Sequence, residues 1–465
     1  MSKFSKNTLI AFALLAFLVP ITNAGELILT VPVGEYHLEQ TENASEHRLY
    51  MDGYGTTTDK GAPWLPSRIF PVALPPGTIF QSLEVRAERG QVINGTWNIS
   101  PKPAPRPITD SNSEVIEHHQ KEYDDNYAAI YGQGAVYPEA IAEFVRSGSF
   151  RKYNLADIRV TPVQYDTTTK NLTVFNNIEI VVRYIDDPSL KGTGYKPIND
   201  NSPRMEAQAE QMILNYQQAQ NWYGRTPRTR GLHEFVIITT NALISSVQPL
   251  IDIEETKGRT TYIATVEWIN SNYSGRDLEE KMRTFLRDKY PTAEWGITDV
   301  CLVGHHSDVP MREVDQDLGY GKPLTDFYFA ELSNPDSSNW DSNNNNRWWD
   351  SSDNADYYNE VNVGRIPWSN ATTVNAICQK SANFELIDDP SFKESILFLG
   401  GFFWENTDNA VLMEAIAAEP WMSSWNQYRM YEQNGTVYST YPCDQELTHN
   451  NVRSAWPIGT YCFVD

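Results

Sequence analysis

Oxygen-bearing side chains gather at one place in the sequence in a pattern that suits a hard cation. Asp341-Ser-Asn343-Asn-Asn345 sets carboxylate and amide oxygens at alternate positions, and Asp350 and Asp353 follow. Alternate spacing lets a tight loop turn successive oxygens inward on one ion, as a calcium loop does. Asn346 stands at the sixth position, usually Gly, and asparagine tolerates a left-handed backbone there. No bidentate Glu closes the loop, so a solvated Asp/Asn loop stays open as the other reading. His305-His306 raises a second chemistry, a histidine-bound hydrolytic zinc. Adjacent side chains at a strand end point to opposite faces, which favours a structural or solvent-facing pair over a shared ion. Of the four cysteines, Cys301 and Cys462 lie inside apolar runs and read as core, and Cys378 lies on a helical pattern. Cys443 and Cys462 could pair in an oxidising compartment, which their spacing does not decide. A reactive thiol needs an exposed, electropositive setting, and none of the four shows one. HExxH, paired CxxC, a phosphate-binding Gly loop and a GxSxG elbow are absent.

The elements that would position these groups fall into two halves. From 25 to about 184 the text reads as β-structure: residues 178, 180, 182 and 184 alternate apolar with polar, and 161–165 and 171–175 flank a polar turn as a hairpin would. Proline patches at 63–76 and 101–107 read as turns and edge segments. A β-sandwich, or two small ones, fits best. A polar helix follows at 204–222, then Tyr223-Gly-Arg-Thr-Pro-Arg-Thr-Arg230-Gly231, an exposed, cleavable linker that, on the residues alone, reads more simply as a plain interdomain hinge. Beyond it the apolar runs at 235–238, 262–266, 300–303, 396–399 and 461–464 are continuous, as in parallel strands buried on both faces. Helical stretches at 242–255, 277–290, 374–386 and 410–418 alternate with them, which is the α/β pattern. Ligands gather beyond the carboxyl ends of such strands, where His305, His306, Asp308, Glu405 and Asp408 fall.

Composition sets the frame. The 465 residues are 40% hydrophobic and 12% aromatic, enough for several packed cores. A net charge of −23 disfavours nucleic acid and anionic membranes as partners. Lys3 and Lys6, the apolar run 9–19, Pro20 and the small-residue end at Ala24 read as a secretion signal too short to span a bilayer, and no later segment is apolar enough to span one.

Three stretches carry a resemblance. Cys301-Leu-Val-Gly-His-His-Ser-Asp-Val-Pro310, Leu324-Thr-Asp-Phe-Tyr328 and Asp356-Tyr-Tyr-Asn-Glu-Val-Asn-Val-Gly-Arg-Ile-Pro367 resemble the gingipain family of cysteine peptidases. Gly61-Ala-Pro-Trp-Leu-Pro66 and residues 153–165 resemble that family's β-rich propeptide. The resemblance implies a multi-domain protein: signal peptide 1–24, β-sandwich prodomain 25–200, helix and arginine linker 201–231, and an incomplete caspase-like α/β domain 232–465. It implies a structural calcium held by Asp356, Tyr358 (through its carbonyl) and Glu360, with His305 where the family has a partner aspartate. Glu405 falls near the family's carboxylate that orients the catalytic histidine. The catalytic His and Cys themselves are expected after Asp465, so the chain as it stands would not turn over peptide bonds. The implied function is a secreted or cell-surface endopeptidase precursor acting on protein or peptide substrates by thiolate acyl transfer. Its own prodomain would fold over the strand ends and leave after linker cleavage. The alternative is a non-catalytic secreted surface or adhesion protein with a calcium-stabilised domain.

Overall fold

A computed structural model describes residues 24–41, 45–105, 113–224, 232–315, 322–333, 340–353, 355–388, 394–404, 407–435, 437–455 and 461–464. Within the first half, Gly25–Val31, Ile178–Asp186 and Thr78–Ala87 form one antiparallel sheet. Pro66–Leu74 lies between Gly55–Thr56 and Tyr153–Val160 in a second sheet that Ala142–Phe150 completes. The inward residues of both sheets meet in one core: Leu27, Ile178, Ile180 and Val182 from the first, Phe70, Val72, Leu74, Ile158 and Val160 from the second. Each such side chain removed from water contributes about 1.5–3 kcal/mol, which offsets the ordering of its strand. Val163–Asp166 pairs with Asn171–Val174 as the hairpin pattern implies. Asp166 Oδ1 accepts the Thr168 and Thr169 amides, and Lys170 takes φ 58° to close the turn.

The β-reading of this half misses one element. Ser113–Ile130 is an 18-residue helix. Its sequence is polar almost throughout, with Val115 and His119 as its buried residues, so no apolar stripe announces it.

The helix expected at 204–222 is two, Pro203–Met212 and Tyr216–Tyr223. They break because Asn215 turns to the sheet. Its Oδ1 accepts the Ala73 amide at 2.8 Å and its Nδ2 donates to the Ala73 carbonyl at 2.9 Å, filling backbone valences on the Pro66–Leu74 strand. Met205, Ala209, Ile213 and Ala219 then share a core with Ala73, Phe150, Tyr153 and Leu155. The helix pair thus packs with the β-half.

In the second half, Thr261–Thr265, Phe235–Thr239, Asp299–Val303 and Asn362–Ile366 form a parallel sheet in that order. Phe235–Thr239 is buried at every position because alternate residues enter different cores. Val236 and Ile238 meet Met282, Phe285 and Leu286 on one face, and Phe235 and Ile237 meet Leu243, Val247, Ile251 and Val374 on the other. A second parallel sheet orders Gln445–Glu446, Asn426–Tyr431, Ser395–Gly400 and Tyr461–Val464. Among the described residues no helix is long and apolar enough to cross a membrane.

Candidate functional site

At the carboxyl rim of the first parallel sheet the chain leaves Asp299–Val303 through Gly304, at φ 150°. Strand alternation has ended there, so the expectation that His305 and His306 point to opposite faces fails: their rings lie 4.1 Å apart, both exposed. The His305 amide donates to Ser369 Oγ at 2.9 Å, and Ser369 Oγ donates to Asp308. Arg365 staples the loop from beneath, bonding the Gly304 and Val309 carbonyls at 2.9 and 2.8 Å and both oxygens of Asp326. No third His, Cys, Asp or Glu completes a ligand trio with this pair among the described residues.

The acidic residues singled out by the resemblance gather at the opposite, amino rim. Glu360 precedes the Asn362–Ile366 strand and is fully buried, as is Glu331; Asp356 is 3% exposed. The Leu332 amide donates to Glu360 Oε2, and the Tyr358 and Ser149 amides donate to Asp356, each at 2.8 Å. Ser333 Oγ links Asp356 to the same segment at 2.9 Å. His305 lies at the far end of the intervening strand, five residues or roughly 16 Å away, so it does not join them.

Into this rim the β-half inserts Arg151, at the tip of the turn between Ala142–Phe150 and Tyr153–Val160, where its backbone takes φ 50°. The guanidinium bonds both oxygens of Asp200 and the carbonyls of Tyr290, Ile297 and Glu360 at 2.8, 3.0 and 2.6 Å. Its amide reaches Glu360 Oε1 at 3.3 Å. Tyr358 adds a hydroxyl bond to Asp157, beneath which Gly148 runs so close that a Cβ would sit 3.0–3.1 Å from Tyr358 and Asp356. The contact that Arg151 makes from the β-half is therefore at the amino ends of the strands, not over the carboxyl ends.

The charges of this rim do not balance. Glu331, Asp356, Glu360 and Asp200 face two guanidiniums, Arg283 (2.8 Å from Glu331) and Arg151. Burial, and then repulsion from Glu331, pushes Asp356 up to about 7. Glu360 is driven well above the carboxylate range by burial, Glu331 and Asp356. Burial acts on Glu331 too, but Arg283 and the bonds from Ser333 and Trp340 hold it below its ordinary value. Four carboxylates against two guanidiniums would leave two negative charges if all four ionised. Protonation of Glu360 and Asp356 removes them as well as a divalent cation would, and the oxygens of both already accept the Leu332, Arg151, Tyr358 and Ser149 amides. Their carboxylates and that of Glu331 do not close to a trio within 4.8 Å.

The Asp341 loop is different. Arg276 pairs with Asp341, whose Oδ1 also accepts the Asn345 amide at 2.8 Å. Asn343 Oδ1 accepts that same amide at 3.0 Å, and Asn345 Oδ1 accepts Arg347 N at 2.7 Å. Asn344 and Asn346 both take φ near 60°. The alternating oxygens are spent on the loop's own amides and a guanidinium stands on the first carboxylate, so these residues do not fit a cation.

Cys301 and Cys378 share the core behind the sheet. Burial, followed by Cys378, pushes the Cys301 thiol up to about 12, and burial raises Cys378 as well. Glu405 lies outside the described residues, as does the side chain of Cys462; Asp408 Oδ1 accepts the Ala410 amide at the start of Ala410–Ala417. Arg151, Asp200 and Glu331 escaped sequence reading. For Glu331 a signal exists, a lone carboxylate inside the apolar run Phe327-Tyr-Phe-Ala-Glu-Leu332.

Comparison with known proteins bears on both halves. Residues 35–221 match the C25 propeptide family and residues 229–460 match peptidase family C25. Gingipain R1 of Porphyromonas gingivalis is 21% identical over 210 residues, 44% of this chain and 20% of that protein. Gingipain R2 of the W83 strain is 20% identical over 209 residues, 44% of this chain and 27% of its own length. The solved complex of Porphyromonas gingivalis RgpB pro- and mature domains aligns at 18% identity and TM-score 0.27, over 42% of this chain and 93% of that one. The chain thus spans about an eighth to a quarter of the curated relatives it matches. With propeptide and peptidase matches adjoining in chain order, the chain belongs to peptidase family C25, the gingipain family of cysteine peptidases, and carries its propeptide.

Proposed function

We propose that this chain is the pro-form portion of a secreted gingipain-type cysteine endopeptidase that cleaves protein substrates by thiolate acyl transfer. In this reading residues 25–223 are a β-sandwich prodomain with its helix pair, and residues 232–465 belong to a caspase-like α/β peptidase domain. Residues 1–24, of which 1–23 lie outside the described part, direct secretion. The observation that carries the proposal is the Arg151 joint. A prodomain residue with a side chain 1% exposed is bonded to three peptidase-domain carbonyls and, through Asp200, to the Thr292 amide at 3.1 Å. Such a joint holds the two halves together without the covalent linker. Asp356, Glu360 and the Tyr358 carbonyl are the residues that would hold a calcium ion, which would supply structural charge neutralisation beside that joint. Cys301 and Cys378 are core thiols, so the nucleophile is to be sought elsewhere.

Limited trypsin digestion tests this. Cuts at Arg225, Arg228 or Arg230 should come first, and the two fragments should co-elute on size exclusion; Arg151→Ala should let them separate. Early cuts scattered through 25–200, or fragments that part at once in the parent chain, would overturn the pro-form reading.

A further inference from the structure

The Ser113–Ile130 helix carries His118, His119 and Glu122. Among the described residues this is the one trio of His, Cys, Asp or Glu whose ligand atoms all lie within 4.8 Å of one another. His118 and Glu122 are four residues apart and share a helix face. His119 joins them from the next position, 7% exposed, with its ring 5.6 Å from that of His118. Two imidazoles and one carboxylate are a poor set for calcium or magnesium, and no thiolate is present to select copper(I). They match the three-ligand sets that bind zinc-class divalent ions and leave a position for water. A cation already serves Glu122: Lys60 Nζ stands 2.6 Å from Oε2, and Asn126 Nδ2 fixes the Lys60 carbonyl at 2.9 Å. The ammonium and a metal would compete for one carboxylate.

We propose that His118, His119 and Glu122 form a divalent transition-metal site of the zinc class on the prodomain, where the metal displaces Lys60 from Glu122. The exposed pair His305–His306 offers two imidazoles without a third ligand and is the natural decoy.

The test is a zinc titration of the whole chain by equilibrium dialysis, run in the parent and in His305→Ala/His306→Ala. One zinc per chain should bind in both. His118→Ala, at an exposed position, should weaken binding at least tenfold with the circular dichroism spectrum unchanged, and Lys60→Met should tighten it severalfold by removing the competitor. The proposal is overturned by the absence of binding at millimolar zinc, by affinity unchanged in His118→Ala, by zinc lost with the 305/306 pair, or by Lys60→Met leaving affinity equal or weaker.

Discussion

Arg151 and Asp200 form a two-pronged ion pair, Nε to Oδ2 at 2.5 Å and Nη2 to Oδ1 at 2.7 Å, with both side chains 1% exposed. Removing one partner leaves the other charged and dry, which costs about 3–5 kcal/mol. Arg151→Met should lower unfolding stability by that amount in urea titration. The double variant Arg151→Met/Asp200→Asn should lose clearly less than the two singles summed. Additive losses would show that the two residues act apart.

Calcium should raise the melting temperature of the parent chain. An ion at 100 times its dissociation constant adds about 2.7 kcal/mol. Asp356→Asn or Glu360→Gln should abolish the shift, whereas Asn343→Ala should keep it, because that oxygen serves its own loop. A shift that follows Asn343 and ignores Glu360 would place the ion in the Asp341 loop.

Asp277 gives a pH signature. Burial raises its carboxyl, but the Arg312 bonds at 2.7 and 2.9 Å and the Glu280 amide outweigh burial and leave it below its ordinary value. A carboxyl depressed in the folded state contributes stability above its unfolded pKa and loses it as pH falls through the folded one. Asp277→Asn keeps the helix cap yet strands the buried Arg312, and should cost about 1.5–3 kcal/mol at pH 7. Urea titrations from pH 7 to pH 2.5 should show the gap between parent and variant closing below about pH 4. A constant gap would assign the effect to shape.

Cys301 and Cys378 should resist a thiol reagent at pH 8 in the native chain and react at once in 6 M guanidinium. A thiol held near pKa 12 carries almost no thiolate at that pH. Rapid native labelling of Cys301, found by peptide mapping, would mean that the sheet face behind it opens.

What the sequence discloses follows the physics of burial. The runs at 235–238, 300–303 and 396–399 are legible because those strands lie inside their sheets, covered on both faces. Asn362–Ile366 lies at a sheet edge with Gly364 exposed, and Asn426–Tyr431 alternates polar residues, so neither shows a run. Asp356 and Glu360 were reachable through local motif order. Arg151 was not: its partners are 49, 139, 146 and 209 positions away, and nothing near it in the chain encodes them. The pairing of His305 and His306 depended on Gly304 ending the strand, a backbone event that side-chain alternation does not report.

Asn215 has a consequence for what happens after cleavage. By occupying both the donor and the acceptor of Ala73, it blocks the rung at which a foreign strand would begin to zip onto the Pro66–Leu74 strand. The arginines at 225, 228 and 230 lie after the helix pair, so a cut there sends the guard away with the sheet it guards. A cut near residue 201 would bare that edge and seed polymerisation of the liberated prodomain. If the linker is cut as proposed, the position of the cut would decide whether the β-half keeps that edge covered.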